Sequence, residues 1–264
     1  MRTELLNRIG DGDLRYVDPG EYAAFRTRNS RRARDDFYDR DIEKRKLADP
    51  EFVANREFRQ QWEESIPLDM LEHRAAWGAQ GEIGSWVRQH NAVIKINRTL
   101  FLHGGISPEV LDMSITEINE QIRLELNGGL EEEPGLSEKE TGPLWYRGLA
   151  TNAKEIEKAH LELVLATYDV DRVVIGHTPG LGTIVPRFEG RVLIIDTGLS
   201  SYYGGFRASL LLQNNEATTL QHEQEIPIPV TKAGVLSYFE RIAALEPKAK
   251  ALQVRIRDLA SPDL

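Results

Sequence analysis

The sequence predicts an α/β layered domain, on three apolar runs that each end in a polar group. Thr99-Leu-Phe-Leu-His103-Gly-Gly-Ile-Ser-Pro108 ends in a histidine and two glycines. Val173-Val-Ile-Gly-His177-Thr-Pro179 ends in Gly-His-Thr-Pro, and Val192-Leu-Ile-Ile-Asp196-Thr-Gly198 in Asp-Thr-Gly. Each run has the length of a buried strand, and helical patterns alternate with them. Three strands that each release a side chain at the C-terminal end point to one site along one sheet edge.

In chain order, residues 1–25 are turn-rich, with Gly10-Asp-Gly-Asp13 leading to Tyr22. From Arg26 to about Leu71 the chain is heavily charged, and the sparse apolar positions Phe52, Phe58 and Trp62 read as solvated helices. Asp36-Phe-Tyr-Asp39-Arg40 has the D-x-x-D-R spacing of dinuclear phosphatases. No apolar strand precedes it to carry those carboxylates to a sheet edge, so it reads as a solvated helix face. Residues 82–90 predict a helix that feeds strands at 92–96 and 99–102, with Asn97-Arg98 as the tight turn between them.

Ser107-Pro108 predicts a helix start, followed by apolar positions from Val110 to Leu126 and a stop at Asn127-Gly-Gly129. An acidic loop, Glu131-Glu-Glu133-Pro134, comes next. Gly142-Pro-Leu-Trp-Tyr-Arg147-Gly148 is an aromatic loop with one arginine. A helix is expected over 152–168 and strands at 173, 183–185, 192–195 and 209–212. Residues 232–259 read as helix broken at Pro247, and no buried strand is expected before residue 90. The expected domain division is 1–230, with a charged helical insertion at about 26–71, and a C-terminal helical extension over 231–264.

Composition narrows the function. The 264 residues can bury a sizeable core, and 41% apolar with 28% charged residues is an ordinary globular balance. A net charge of −9 argues against a nucleic-acid binder with a broad basic face, but leaves room for a phosphate held by a local cation. Without cysteine there are neither disulfides nor thiolate metal ligands, so any metal is held by His, carboxylate or amide oxygen. No run reaches the roughly 20 apolar residues of a membrane span, and no signal peptide opens the chain. A cytoplasmic protein without membrane or nucleic-acid partners is expected.

His103 and His177 are the candidate metal ligands, because neutral imidazoles from adjacent strand ends can share one ion. Each could instead be a hydrogen-bonded loop residue. Asp196 reads equally as an outer acceptor that orients a ligating histidine and as a turn aspartate. Arg147 has the fork suited to a phosphate's paired oxygens, but could also stack on Trp145 or Tyr146 for structure alone. His73, His90, His160 and His222 lack such settings and read as structural.

Phe101-Leu-His103-Gly-Gly-Ile-Ser-Pro108, Pro143-Leu-Trp-Tyr-Arg147-Gly148, Ile175-Gly-His177-Thr-Pro179 and Ile195-Asp-Thr-Gly198 with Tyr203-Gly-Gly205 occur in that order. Together they resemble the calcineurin-like metallophosphoesterases, closest to the bacterial serine/threonine-phosphatase-like and Shewanella-like branch. Gly12-Asp-Leu-Arg-Tyr-Val17 and Pro19-Gly-Glu-Tyr22 also look like the segment that follows the family's Gly-Asn-His-Glu motif. The resemblance implies a layered β-sandwich flanked by helices and phosphoester hydrolysis at two divalent ions, Mn, Fe or Zn. It implies a phosphorylated substrate, either a phosphoprotein or a small phosphoester. By motif match, His103 and His177 would be ligands of one ion and Arg147 the catalytic phosphate clamp.

The family's Asp-x-His, Gly-Asp-x-x-Asp-Arg and Gly-Asn-His-Glu motifs are absent from this sequence. The expectation is therefore the C-terminal part of the family domain, its first strands missing, with ligands for at most one metal and reduced or no activity. The alternative expectation is a pseudophosphatase used as a protein-binding domain.

Overall fold

The computed structural model describes residues 19–128 and 135–261; the segments 1–18 and 129–134, which include Gly12–Val17 and the acidic loop, lie outside the described residues. The described chain divides into two compact units, one of residues 19–90 with 126–128 and one of 91–125 with 135–261.

The first unit is helical. After a helical turn at Pro19–Tyr22 come α1 (Ser30–Ala48), α2 (Arg56–Ser65), α3 (Met70–Trp77) and α4 (Glu82–Gln89). Its small core is Tyr22, Trp62, Ile66 and Met70, with Phe37, Tyr38 and Phe58 packed against it. Asn55 caps α2 by accepting the Phe58 amide at 2.8 Å. Asp36, Asp39 and Arg40 lie exposed on α1, as the lack of a preceding strand predicts.

The second unit contains β1 (Val93–Ile96), β2 (Thr99–Leu102), α5 (Ile115–Leu126), α6 (Gly148–Thr151), α7 (Lys154–Thr167), β3 (Arg172–Ile175), β4 (Val185–Arg187) and β5 (Val192–Ile194). The strands form one sheet in the order β1-β2-β3-β5-β4. β2, β3 and β5 are parallel, while β1 and β4 run antiparallel at the two edges. Asn97 turns the β1–β2 hairpin with φ 54°, a conformation that asparagine tolerates. The mixed α/β fold expected from the sequence is observed, with a central sheet and flanking helices.

A second sheet, β6 (Ala208–Gln213), β7 (Glu216–Gln221) and β8 (Gln224–Pro227), is an antiparallel meander. Its turns, Asn214-Asn215 and His222-Glu223, have both central residues at positive φ, which matches the twist of two-residue hairpins. The sequence reading reached only the 209–212 strand here. The polar faces of β7 and β8 hid the other two.

The core joins the layers. Val174 and Leu193 of the central sheet meet Ile226 of the small sheet, Tyr238, Phe239 and Ile242 of α8 (Gly234–Leu245), and Leu252 of α9 (Lys250–Ala260). Burying an aromatic such as Phe239 contributes about 1.5–3 kcal/mol. The Tyr238 hydroxyl is shared between Thr219 at 2.6 Å and the Ile184 carbonyl at 2.8 Å, which ties small sheet, helix and the entry to β4 together.

Two boundaries differ from expectation. The helix read from Ser107-Pro108 begins at Ile115, because Ser114 and Glu117 form a reciprocal capping box: the Glu117 amide donates to the Ser114 hydroxyl at 3.2 Å and the Ser114 amide to the Glu117 carboxylate at 2.8 Å. Val110 is still buried, but in a turn. The strand read at 183–185 starts only at Val185, with Thr183 and Ile184 buried in the loop before it.

Candidate active site on the sheet edge

Register brings the three runs to one edge. Leu102 pairs with Ile175, and Ile175 with Ile194, so the residues that follow emerge side by side. The pairing continues past the strands: the Gly176 amide donates to the His103 carbonyl at 2.8 Å and the Ile195 amide to the Ile175 carbonyl at 2.8 Å.

His177 departs from that ladder. The Thr178 amide returns to the Gly176 carbonyl at 2.7 Å, closing a three-residue turn centred on His177 at φ 60°. This is the strained sense of that turn, which the surroundings must enforce. Its result is that His177 Nδ1 stands 3.1 Å from His103 Nε2. The Trp145 ring meets His177 edge-on with centroids 5.1 Å apart, and His177 Nε2 is buried with no hydrogen-bond partner. Burial, then the nearby Arg147 and His103, lowers the His177 imidazole to about 4, with Asp196 opposing. Burial also holds His103 below the usual histidine range, Asp196 opposing and Arg147 adding. Both rings are therefore neutral at pH 7 and present lone pairs.

Arg147 reaches the same place from a different loop. Its guanidinium donates to the Thr178 hydroxyl at 3.3 Å and is otherwise exposed. The loop is locked to the first histidine's glycines: the Gly104 and Gly105 amides donate to the Pro143 carbonyl at 2.8 and 3.3 Å. A Cβ on Gly104 would stand 2.8 Å from the Trp145 nitrogen, so only glycine permits the approach. Asp196 is at the edge too. Its carboxylate accepts the Gly198 amide at 3.1 Å in an Asx turn, and its hydrogen bonds include none to either ring.

Three supports carry no motif. The Tyr146 hydroxyl donates to the buried Glu157 carboxylate, 3.1 Å from each oxygen, and burial with that carboxylate drives the phenol's pKa upward. His160 Nε2 lies 2.7 Å from the Ile106 carbonyl, steadying the Gly-Gly loop. Buried Glu125 accepts the Leu136 and Ser137 amides at 2.9 and 2.7 Å, fixing the approach to the Trp145 loop. The remaining histidines are structural: His73 packs among Tyr22, Phe25 and Trp77, His90 contacts the Trp86 carbonyl, and His222 pairs with Glu246.

No protein-family model matches the chain. An uncharacterized protein of Schizosaccharomyces pombe is 38% identical over 169 residues, 59% of this chain and 49% of that protein. Shewanella-like protein phosphatase 1 of Plasmodium berghei is 28% identical over 120 residues, 42% of this chain and 33% of that protein. The crystal structure of a cold-active protein-tyrosine phosphatase from a psychrophilic Shewanella superposes with a TM-score of 0.52 at 27% identity, covering 68% of this chain and 54% of that one. The chain is related to the Shewanella-like phosphatases. It spans half or less of the length of the curated relatives it matches.

This phosphatase relationship makes metal the next question. Two ring nitrogens 3.1 Å apart have the spacing of neighbouring ligands on one ion, given metal–nitrogen distances of about 2.0–2.1 Å. Yet no group of three or more His, Cys, Asp or Glu among the described residues could hold an ion. Two imidazoles fall short of the usual three or four protein ligands, so the described residues do not fit a metal centre by themselves. Among the described residues, no helix is long and apolar enough to cross a membrane.

Proposed function

We propose that this sheet edge is part of a phosphoester hydrolase site of the calcineurin-like metallophosphoesterase kind, acting on a phosphorylated protein or small phosphoester. The observation that supports it is the convergence of His103, His177 and Arg147, from two strand ends and one loop, around the 3.1 Å contact between rings. The chain's share of such a site would be two neutral imidazoles as ligands to one divalent ion, Mn, Fe or Zn. Arg147 would clamp the phosphate, because among the described residues its guanidinium is anchored at Thr178 alone and keeps donors facing solvent. Asp196 would bias both rings electrostatically. Tyr146, His160 and Glu125 act as positioning residues, holding the two loops in register.

The short donor set favours a second reading, a domain that binds phosphorylated partners without turning them over. The purified chain assayed with p-nitrophenyl phosphate and Mn²⁺ separates the two. Divalent-dependent hydrolysis, however slow, that falls at least about tenfold in His103→Ala supports the hydrolase. Binding of phosphate that needs Arg147, without turnover, supports the binding domain. Equal activity in His103→Ala and the parent removes the site assignment.

A further inference from the structure

Thr178, which the Arg147 guanidinium reaches, also lines a cavity of about 410 Å³ whose charge is one-sided. Lys154, Arg187, Lys232 and Arg255 line it, and its apolar wall includes the partly exposed Leu181, Val185 and Val235. Four cations from α7, β4, the turn before α8 and α9 converge on one concavity in a chain whose net charge is −9. Lys154, Lys232 and Arg255 make no ion pair among the described residues. The nearest acids do not neutralise them. Glu157 is occupied by Tyr146 and Asn152, while Glu189 and Glu155 act only at longer range.

Arg187 is the most constrained of the four. Its guanidinium donates to the Asn152 carbonyl and lies over the Phe188 ring at 5.3 Å, yet its Nε is buried with no partner. A buried donor left unsatisfied is destabilising, and an acceptor brought to this cavity would relieve the charge around it. Lys154 sits in the first turn of α7, where the helix dipole disfavours a cation. Burial lowers its pKa further, Glu189 opposing and Arg187, Arg255 and Lys232 adding. Like charges held together at these positions are a standing electrostatic cost, which an anion would reverse.

We propose that this cavity is an anion-binding site, separate from the sheet-edge site, for a small molecule with an anionic head on an apolar or aromatic body. The head would meet Lys154, Lys232 and Arg255, and the body would lie on Leu181, Val185 and Val235. Because Thr178 borders both this cavity and Arg147, an occupant here would also bear on the loop that carries His177.

Titration calorimetry of the whole chain with 1-naphthalenesulfonate, which no phosphatase hydrolyses, tests this. The expected result is one binding event that weakens at least about tenfold in Lys154→Gln/Arg255→Gln and is retained in Lys154→Arg/Arg255→Lys. It should also be retained in Arg147→Gln, and 1-naphthol and inorganic sulfate should each bind at least about tenfold more weakly. Circular dichroism of each variant guards against loss of fold. Unchanged affinity in the double glutamine variant, or loss of binding in Arg147→Gln, overturns the second site. Sulfate binding as tightly as the naphthalenesulfonate overturns the apolar half of the proposal.

Discussion

His177 Nδ1 lies 3.1 Å from His103 Nε2, although 74 residues separate the two along the chain. Parallel pairing of β2 with β3 sets their backbones side by side, and the left-handed turn at His177 swings its ring onto its neighbour's.

That turn has a stability signature. The left-handed region costs a non-glycine residue about 1–2 kcal/mol, so His177→Gly should be more stable than His177→Ala by about 1 kcal/mol. Urea midpoints of the two variants measure this. Equal midpoints would mean that the turn stores no strain.

Gly104 should tolerate nothing larger. A methyl there would meet Trp145 N at 2.8 Å and the Leu144 carbonyl carbon and Pro143 carbonyl oxygen at 2.9 Å, all backbone atoms with no side-chain freedom to yield. Gly104→Ala is expected to lose about 1–3 kcal/mol and to shift the Arg147 loop. Indole fluorescence of Trp145 and a thermal melt report both effects; a variant that melts with the parent contradicts the packing.

Glu125 should make the fold acid-sensitive. Its carboxylate is buried, which raises its pKa, but the hydrogen bonds from Ser137, Gln121 and Leu136 outweigh burial and the net shift is downward. A group whose folded value lies below its unfolded one contributes stability above the ordinary glutamate range, and that contribution is lost as pH falls through the folded value. Glu125→Gln should cost about 1–3 kcal/mol at pH 7, with the gap to the parent narrowing below about pH 4. Denaturation at both pH values checks it, and a gap independent of pH would count against the carboxylate's role.

Arg147→Lys tests the phosphate clamp. Lysine keeps the charge but loses the planar fork, so affinity for inorganic phosphate should fall about tenfold while the melting temperature stays level, since the guanidinium is largely exposed. Phosphate titration followed by calorimetry decides this. Full affinity with lysine would reduce Arg147 to a point charge.

Local pattern was enough to locate β1, β2, β3 and β5 of the central sheet, the Asn97 turn, the break at Pro247 and the solvated face of α1, because each depends on a few neighbouring residues. It misplaced the start of α5 because Pro108 looked like an opening signal while the Ser114–Glu117 capping box, six residues on, sets the start at Ile115. The asparagine pair at 214–215 was a hairpin signal in plain view, overshadowed by the polar faces of β7 and β8.

The sequence by itself determined the alternation of helices and apolar strands, the three polar strand ends and the likeness to phosphatases. Those are properties of spacing and residue type, which survive without knowledge of partners. Only the tertiary structure decided that His177 turns left-handed to meet His103, that Arg147 anchors on Thr178, and that Glu125, Tyr146 and His160 brace the loops. The four cations of the second cavity are likewise scattered over 102 residues of sequence, from Lys154 to Arg255 inclusive. Contacts of this kind are made between elements distant in the chain, so their geometry exists only once strand order and packing have brought those elements together.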